Sequence, residues 1–134
     1  MISGAYLILP VDLPKNEYNL MLKKIGASLG ILDFDVTECW SDGISNVYIR
    51  LVDSEDPAYE YSDMEKIRNI LQNPARSFIS LEYDEGETSL RNLMKIVKEF
   101  GNRWPIALDS CYGGIYGNDD MDRLLREGIF FSKG

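Results

Sequence analysis

Between Asp53 and Glu65 the chain reads DSEDPAYEYSDME: six carboxylates and two tyrosines in thirteen residues, with no lysine or arginine among them. Carboxylates at this density can do three kinds of chemistry. Two close together can share acid–base work, several can ligate a hard divalent cation, and a field of them can draw in a positively charged partner. An EF-hand loop needs D-x-[DN]-x-[DN]-G with a glutamate at its twelfth position, whereas Asp53-Ser54-Glu55-Asp56-Pro57 carries a proline where that loop must turn through glycine. A looser magnesium site from Asp33, Asp35 and Asp53 is geometrically conceivable, because Asp33 and Asp35 share a strand face. Alternating acids on an exposed strand are common, however, and no metal or cofactor is expected.

Charge counted by segment favours the third chemistry. Residues 33 to 65 hold ten acids (Asp33, Asp35, Glu38, Asp42, Asp53, Glu55, Asp56, Glu60, Asp63 and Glu65) and one base, Arg50; the other 101 residues hold twelve acids and thirteen bases. The whole net charge of −8 therefore comes from a quarter of the chain. Solubility alone gives no reason to confine charge in this way. Four of the ten acids have local explanations: Asp63 and Glu65 at a helix N-terminus, Asp42 in a turn, and Asp35 opposite Arg50. Six do not. Tyr48, Tyr59, Tyr61 and Trp40 lie among them, and aromatic anchors amid carboxylates suit a protein interface whose charges speed encounter with a basic partner.

The sequence contains no histidine. That excludes Ser-His-Asp and Cys-His nucleophile systems and His-ligated zinc, and the two cysteines cannot supply a four-thiolate zinc site. Cys39 and Cys111 stand far apart without a C-x-x-C partner, which reads as free buried thiols in a reducing compartment, with a disulfide between the two as the alternative. Ser110 and Cys111 look like a nucleophile pair, but no histidine exists to serve them as base. The segment DSCYGGIYGNDDMD sets glycines before a helix, yet Gly113, Gly114 and Gly117 fit neither G-x-G-x-x-G nor a P-loop, and Asp119, Asp120 and Asp122 would repel phosphate. These glycines are expected to supply positive φ in a turn. Arg91, Lys95 and Lys98 form a basic stripe at helical spacing, read as a solvated face. A chain of this net charge is repelled from a phosphate backbone, so nucleic acid is not an expected partner.

Elements that would position these residues alternate along the chain. ISGAYLIL (2–9) reads as a strand, and the following helix carries Tyr18, Met21, Leu22, Ile25 and Leu29 as its apolar stripe. LDFDVTECW alternates as a half-buried strand, and Asp42-Gly43 marks a two-residue hairpin turn into SNVYIRLVD. That loop sets Val36 opposite Ile49, Phe34 opposite Leu51 and Asp35 opposite Arg50. Ser62 and Glu65 form a capping box, so a second helix begins at Asp63, with Met64, Ile67 and Leu71 inward, and stops before Pro74. RSFISLEYD is a fourth strand; Leu90, Leu93, Met94 and Val97 mark a helix ending near Gly101; WPIALDS is a short fifth strand. A last helix follows, with Asn118 as its N-cap.

This order predicts an α+β fold over residues 1–134 as a single domain: a ferredoxin-like β-α-β-β-α-β core with a C-terminal α-β-α extension. Two helices would cover one sheet face, leaving the face of Asp33, Asp35, Thr37, Tyr48 and Arg50 open. With 45% hydrophobic and 27% charged residues the composition is that of a soluble globular protein. MISGAYLILPVDLP lacks a basic n-region and is too short to span a bilayer, so the expected location is cytoplasmic, with no membrane partner.

In size, charge and layout the whole chain resembles the immunity proteins of bacterial polymorphic-toxin and contact-dependent growth inhibition systems, and its tail WPIALDSCYGGIYGNDDMDRLLREG is similar to theirs. The resemblance implies a non-enzymatic inhibitor that binds a cognate protein toxin, a nuclease or a translation-targeting enzyme, and blocks its active site or substrate surface. Such proteins use unrelated folds, so the candidate residues come from charge counting. Asp53, Glu55, Asp56 and Glu60 would steer and form interface ion pairs, with Tyr59 and Tyr61 as anchors; Asp33, Asp35 and Glu38 are second choices. The alternative is a regulatory or small-molecule-binding ferredoxin-like domain with its ligand in the turn from Tyr112 to Asn118. A carboxylate enzyme stands third.

Overall fold

Which strands lie inside the sheet follows from which of them are apolar on both faces. The computed structural model describes residues 2–29, 39–41, 46–52, 59–84, 87–110 and 114–127. In β1 (Ile2–Leu9), Ala5, Leu7 and Leu9 join one core while Ile8 joins another on the opposite face. β4 (Ser77–Asp84) does the same with Ile79, Leu81 and Tyr83 against Phe78. Strands buried on both faces belong in a sheet interior. These two pair antiparallel along their full length, from Ile2 opposite Asp84 to Leu9 opposite Ser77.

β3 (Asn46–Val52) buries Val47 and Ile49 but exposes Tyr48 and Arg50, and it lies outside β4, with β2 (Cys39–Ser41) beyond it. β5 (Ala107–Asp109) pairs with the other side of β1, and β6 (Ile115–Gly117) forms the far edge. The order is β2-β3-β4-β1-β5-β6, every neighbouring pair antiparallel. Helices pack on both faces. α1 (Lys15–Leu29), α3 (Glu87–Gly101) and α4 (Met121–Glu127) share the larger core, contributing among others Tyr18 and Leu22, Leu93 and Phe100, and Leu124. α2 (Tyr61–Leu71) sets Ile67 and Leu71 on the other face against Ile8, Phe78 and Ala107.

The fold is α+β, but its strand order is not that of a split β-α-β motif. That motif needs the first two strands parallel with a single strand between them; here β3 and β4 both separate β2 from β1, and the pairings make β2 run opposite to β1. The doubly buried β4 takes the central place beside β1 that the half-exposed β3 cannot. β5 extends the sheet, and α2 covers part of the face that was expected to stay open, over Ile8, Phe78 and Ala107, while Tyr48 and Arg50 on β3 stay exposed there as expected.

Three local expectations are also corrected. The β2–β3 ladder pairs Cys39 with Tyr48 and Ser41 with Asn46, so four residues, not two, separate the last pair. The register is displaced by two residues from the one that set Asp35 opposite Arg50; residues 33–38 lie outside the described residues. α2 begins two residues before Asp63: Glu60 is its N-cap residue, no side chain caps it, and the N–H groups of Asp63 and Met64 both donate to the Glu60 carbonyl at 3.1 Å. The chain arrives at α2 from Tyr59, which is held against the sheet, and helical geometry starts as soon as that tether ends. At the other end, Gln72 turns the chain with φ of 60° and donates its N–H to Arg68, so the helix stops before Pro74 as expected.

Asn118 is not a helix cap. It opens a 3₁₀ turn (Asn118–Asp120), and its carboxamide ties α3 to β5: Oδ1 accepts the Ile106 N–H at 2.8 Å, while Nδ2 donates to the carbonyls of Gly101 at 2.9 Å and Trp104 at 3.1 Å. Gly114 and Gly117 serve close approach, not positive φ, and Gly113 lies outside the described residues. A Cβ on Gly117 would lie 2.9 Å from Cγ2 of Ile70 on α2.

Candidate functional site

Of the nine candidate interface residues, Tyr59, Glu60 and Tyr61 are described; Asp33, Asp35, Glu38, Asp53, Glu55 and Asp56 lie outside the described residues. The three that are visible sit where β3 hands over to α2, and they face different ways. Tyr59 turns inward. Its ring stacks on Phe78 with centroids 6.1 Å apart and meets Tyr6 edge to face at 6.4 Å. Its hydroxyl donates to Asp109 Oδ2 at 2.7 Å. Tyr59 is therefore half-buried on the sheet and is a tether, not an anchor offered to a partner.

That tether has a counterpart on the other side of residues 53–58. Val52, the last residue of β3, is in register with Phe78, the same residue on which Tyr59 stacks. Both ends of the carboxylate-rich segment are thus fixed against one side chain in the sheet. Tyr6 and Asp109, which hold Tyr59, are register partners across β1 and β5. Nothing in the sequence marks Asp109 as the partner of a tyrosine fifty residues away; the bond exists because β5 pairs with β1.

Beyond the tether the surface opens. Tyr61 is 81% exposed, Met64 one turn later is 36% exposed, and Glu60 is exposed beside them. Met64 was expected to face inward with Ile67 and Leu71, but only Ile67 and Leu71 are buried. Asp63 and Glu65 are half-buried in the same stretch. Among the described residues, no lysine or arginine pairs with Glu60, Asp63 or Glu65. The ion pairs seen there are Asp12 with Arg76, Asp122 with Lys98, Glu17 with Arg103 and Asp120 with Arg123. Carboxylates of α2's first turn interact favourably with the helix dipole, by about 0.3–1 kcal/mol each. The dipole accounts for their tolerance; it does not neutralise them.

The neighbouring sheet face is aromatic and polar. Tyr48, 41% exposed, lies in register with Glu82, and Arg50 with Ser80. The basic stripe on α3 is exposed at Arg91 and Lys95, but Lys98 donates to Asp122 on α4 at 2.8 Å. That hydrogen bond, with the charge of Lys98 behind it, lowers the Asp122 carboxyl from its ordinary value.

Two open clefts lie among the described residues. One, of about 470 Å³, lies between Asp12–Lys15, the end of β3 and Arg76–Ser77. Its buried Ser77 hydroxyl is engaged, accepting from the Leu13 N–H at 2.9 Å and donating to the Val11 carbonyl at 2.6 Å. The other, of about 510 Å³, lies between α2 and β6 and is lined by Lys66, Asn69, Ile70, Gly114, Ile115 and Tyr116. It adjoins the turn named as an alternative ligand site. Ser110, suspected as a nucleophile, closes that turn: its Oγ donates to the Gly114 carbonyl at 3.0 Å and accepts the Gly114 N–H at 3.3 Å. Its partner Cys111 lies outside the described residues.

Among the described residues, no group of three or more cysteine, aspartate or glutamate side chains could hold a metal ion, and no helix is long and apolar enough to cross a membrane. Comparison with protein-family models, with curated proteins and with solved structures found no match.

Proposed function

We propose that the protein is a non-enzymatic inhibitor of the immunity type, which binds a basic protein toxin through the surface formed by the start of α2 and the carboxylate-rich segment before it. The observation that carries this reading is the exposure of Tyr61 and Met64 in the same helical turns as Glu60, Asp63 and Glu65, whose charges meet no basic side chain among the described residues. An exposed aromatic ring and a methionine beside unpaired carboxylates give an interface both an anchor and a steering field. The placing of Val52 and Tyr59 beside Phe78 supports the reading further, because it sets both flanks of the carboxylate-rich segment next to the start of α2.

In this mechanism the carboxylates of Asp53, Glu55, Asp56 and Glu60 raise the encounter rate with a basic active site or substrate surface. Tyr61 and Met64 then bury against the toxin and slow dissociation. Tyr59 contributes by position. Asp33, Asp35 and Glu38 would widen the negative field.

The test is capture from a lysate of the host, grown to express the genes next to this one. Native protein is compared with a variant carrying Asp53→Asn, Glu55→Gln, Asp56→Asn and Glu60→Gln. The expected result is one basic protein recovered by the native form, whose association slows steeply with salt, and an association slower by at least about tenfold in the variant. Equal association rates for the two forms would overturn the acidic-face mechanism. A co-purifying metabolite in place of a protein would overturn the immunity reading.

A further inference from the structure

At its β6 edge the sheet presents a short stretch of unpaired backbone. Tyr116 is in register with Leu108, and one step further the Ser110 N–H donates to the Gly114 carbonyl at 3.0 Å. By the alternation of an antiparallel ladder, Gly114 and Tyr116 direct their backbone groups toward β5, while Ile115 and Gly117 direct theirs outward. The Gly117 N–H is taken by Asp120 Oδ2 at 3.0 Å. Among the described residues, what remains is the N–H and carbonyl of Ile115, the pair that an added strand engages.

The α2–β6 cleft runs beside that pair. At one end α2 comes close to the strand, where Gly117 meets Ile70, and Ile70 packs with Ile115 in the smaller core. Lys66 stands one turn earlier on the helix and is exposed; among the described residues neither its amine nor the Asn69 carboxamide has a partner. Side chains four apart on a helix are separated by about 6 Å along its axis, and side chains two apart on a strand by about 6.6 Å. A strand laid along β6 can therefore match Lys66 and Ile70 with two of its own same-face residues.

We infer that this cleft binds an extended segment of a protein partner, added as a seventh strand beside β6. The segment carries a carboxylate side chain against Lys66 and, two residues away, a branched apolar side chain against Ile70 and Ile115. Charge complementarity selects this occupant: the cleft offers an unpaired amine and an amide over an apolar floor. This proposal is independent of the acidic-face reading, since it uses the cleft beside β6 and the opposite sign of charge.

The test is a titration of the ¹⁵N-labelled full chain with the acetylated, amidated peptide Thr-Glu-Thr-Val-Thr-Thr, followed by amide shifts. Saturable shifts centred on Ile115 and the Asn69 side chain are expected. Lys66→Glu, or glutamine in place of the peptide's glutamate, should weaken binding at least about tenfold, and N-methylation of the peptide's valine should also weaken it. The inference is overturned by no saturable shift at Ile115 up to millimolar peptide, or by shifts that Lys66→Glu leaves unchanged. Lys66→Glu alters an exposed position, so its amide spectrum without peptide reports directly that the fold is intact.

Discussion

Tyr59 and Tyr61 are two residues apart in a run of carboxylates, and the sequence gives both the same appearance. No helical or strand period spans the approach to α2, so nothing local decides which ring turns inward; β5, fifty residues later, supplies the deciding hydrogen bond through Asp109. The two positions should separate cleanly in experiment. Tyr59→Phe keeps the ring on Phe78 and removes the bond to Asp109, and should lower unfolding free energy by about 1 kcal/mol, read from the urea midpoint. Tyr61→Ala should leave stability within about 0.5 kcal/mol of native, because the side chain is exposed, yet hasten dissociation from the captured partner. A large stability loss from Tyr61→Ala would show that its ring is structural. Asp122 gives a signed pH dependence: its carboxyl is lowered by Lys98, so its contribution to stability is present above the ordinary carboxylate range and fades as pH falls through the lowered value. Asp122→Asn should remove that component of the acid limb, and salt should shrink it in the native protein.

At the scale of elements, legibility tracked the length of the apolar period. The stripes of α1 and α3 and the ladder strands β1 and β4 could be read because each repeats its period over at least eight residues. β6 could not: it has three residues, the last of them Gly117, directly after Gly114, and it exists because β5 offers an edge. The start of α2 was misplaced because a Ser-x-x-Glu spacing looks like a capping box wherever it falls. If Ser62 capped the helix, replacing it by alanine would cost about 1 kcal/mol; with Ser62 in the second helical position, Ser62→Ala should change stability by less than about 0.5 kcal/mol in thermal or urea unfolding. Gly117→Ala tests the close approach of α2 to β6. The added methyl must displace Ile70, and a loss of about 1–3 kcal/mol is expected. A neutral result would mean that the helix can move away from the strand at little cost.

At the scale of the whole molecule, the sequence disclosed that charge is concentrated but not which surfaces the helices leave open. Local order predicted two helices on one face; in the fold, α2 crosses to the other, because β1, β4 and β5 each carry apolar side chains on both sides and both sets must be covered. The described candidate residues therefore lie at the start of a helix, beside a sheet face that stays exposed at Tyr48 and Arg50. The central position of β1 has a consequence in time. Its neighbours are distant in sequence, Leu9 pairing with Ser77 and Ile8 with Ala107. During synthesis at about 5–20 residues per second, a strand that is apolar on both faces waits roughly 3 to 14 seconds for β4, and longer for β5. Non-local pairing of this kind slows folding. Until β4 emerges, the apolar faces of β1 lack their partner strand, so the supply of folded protein is set by the rate of completing the sheet as well as by the rate of translation.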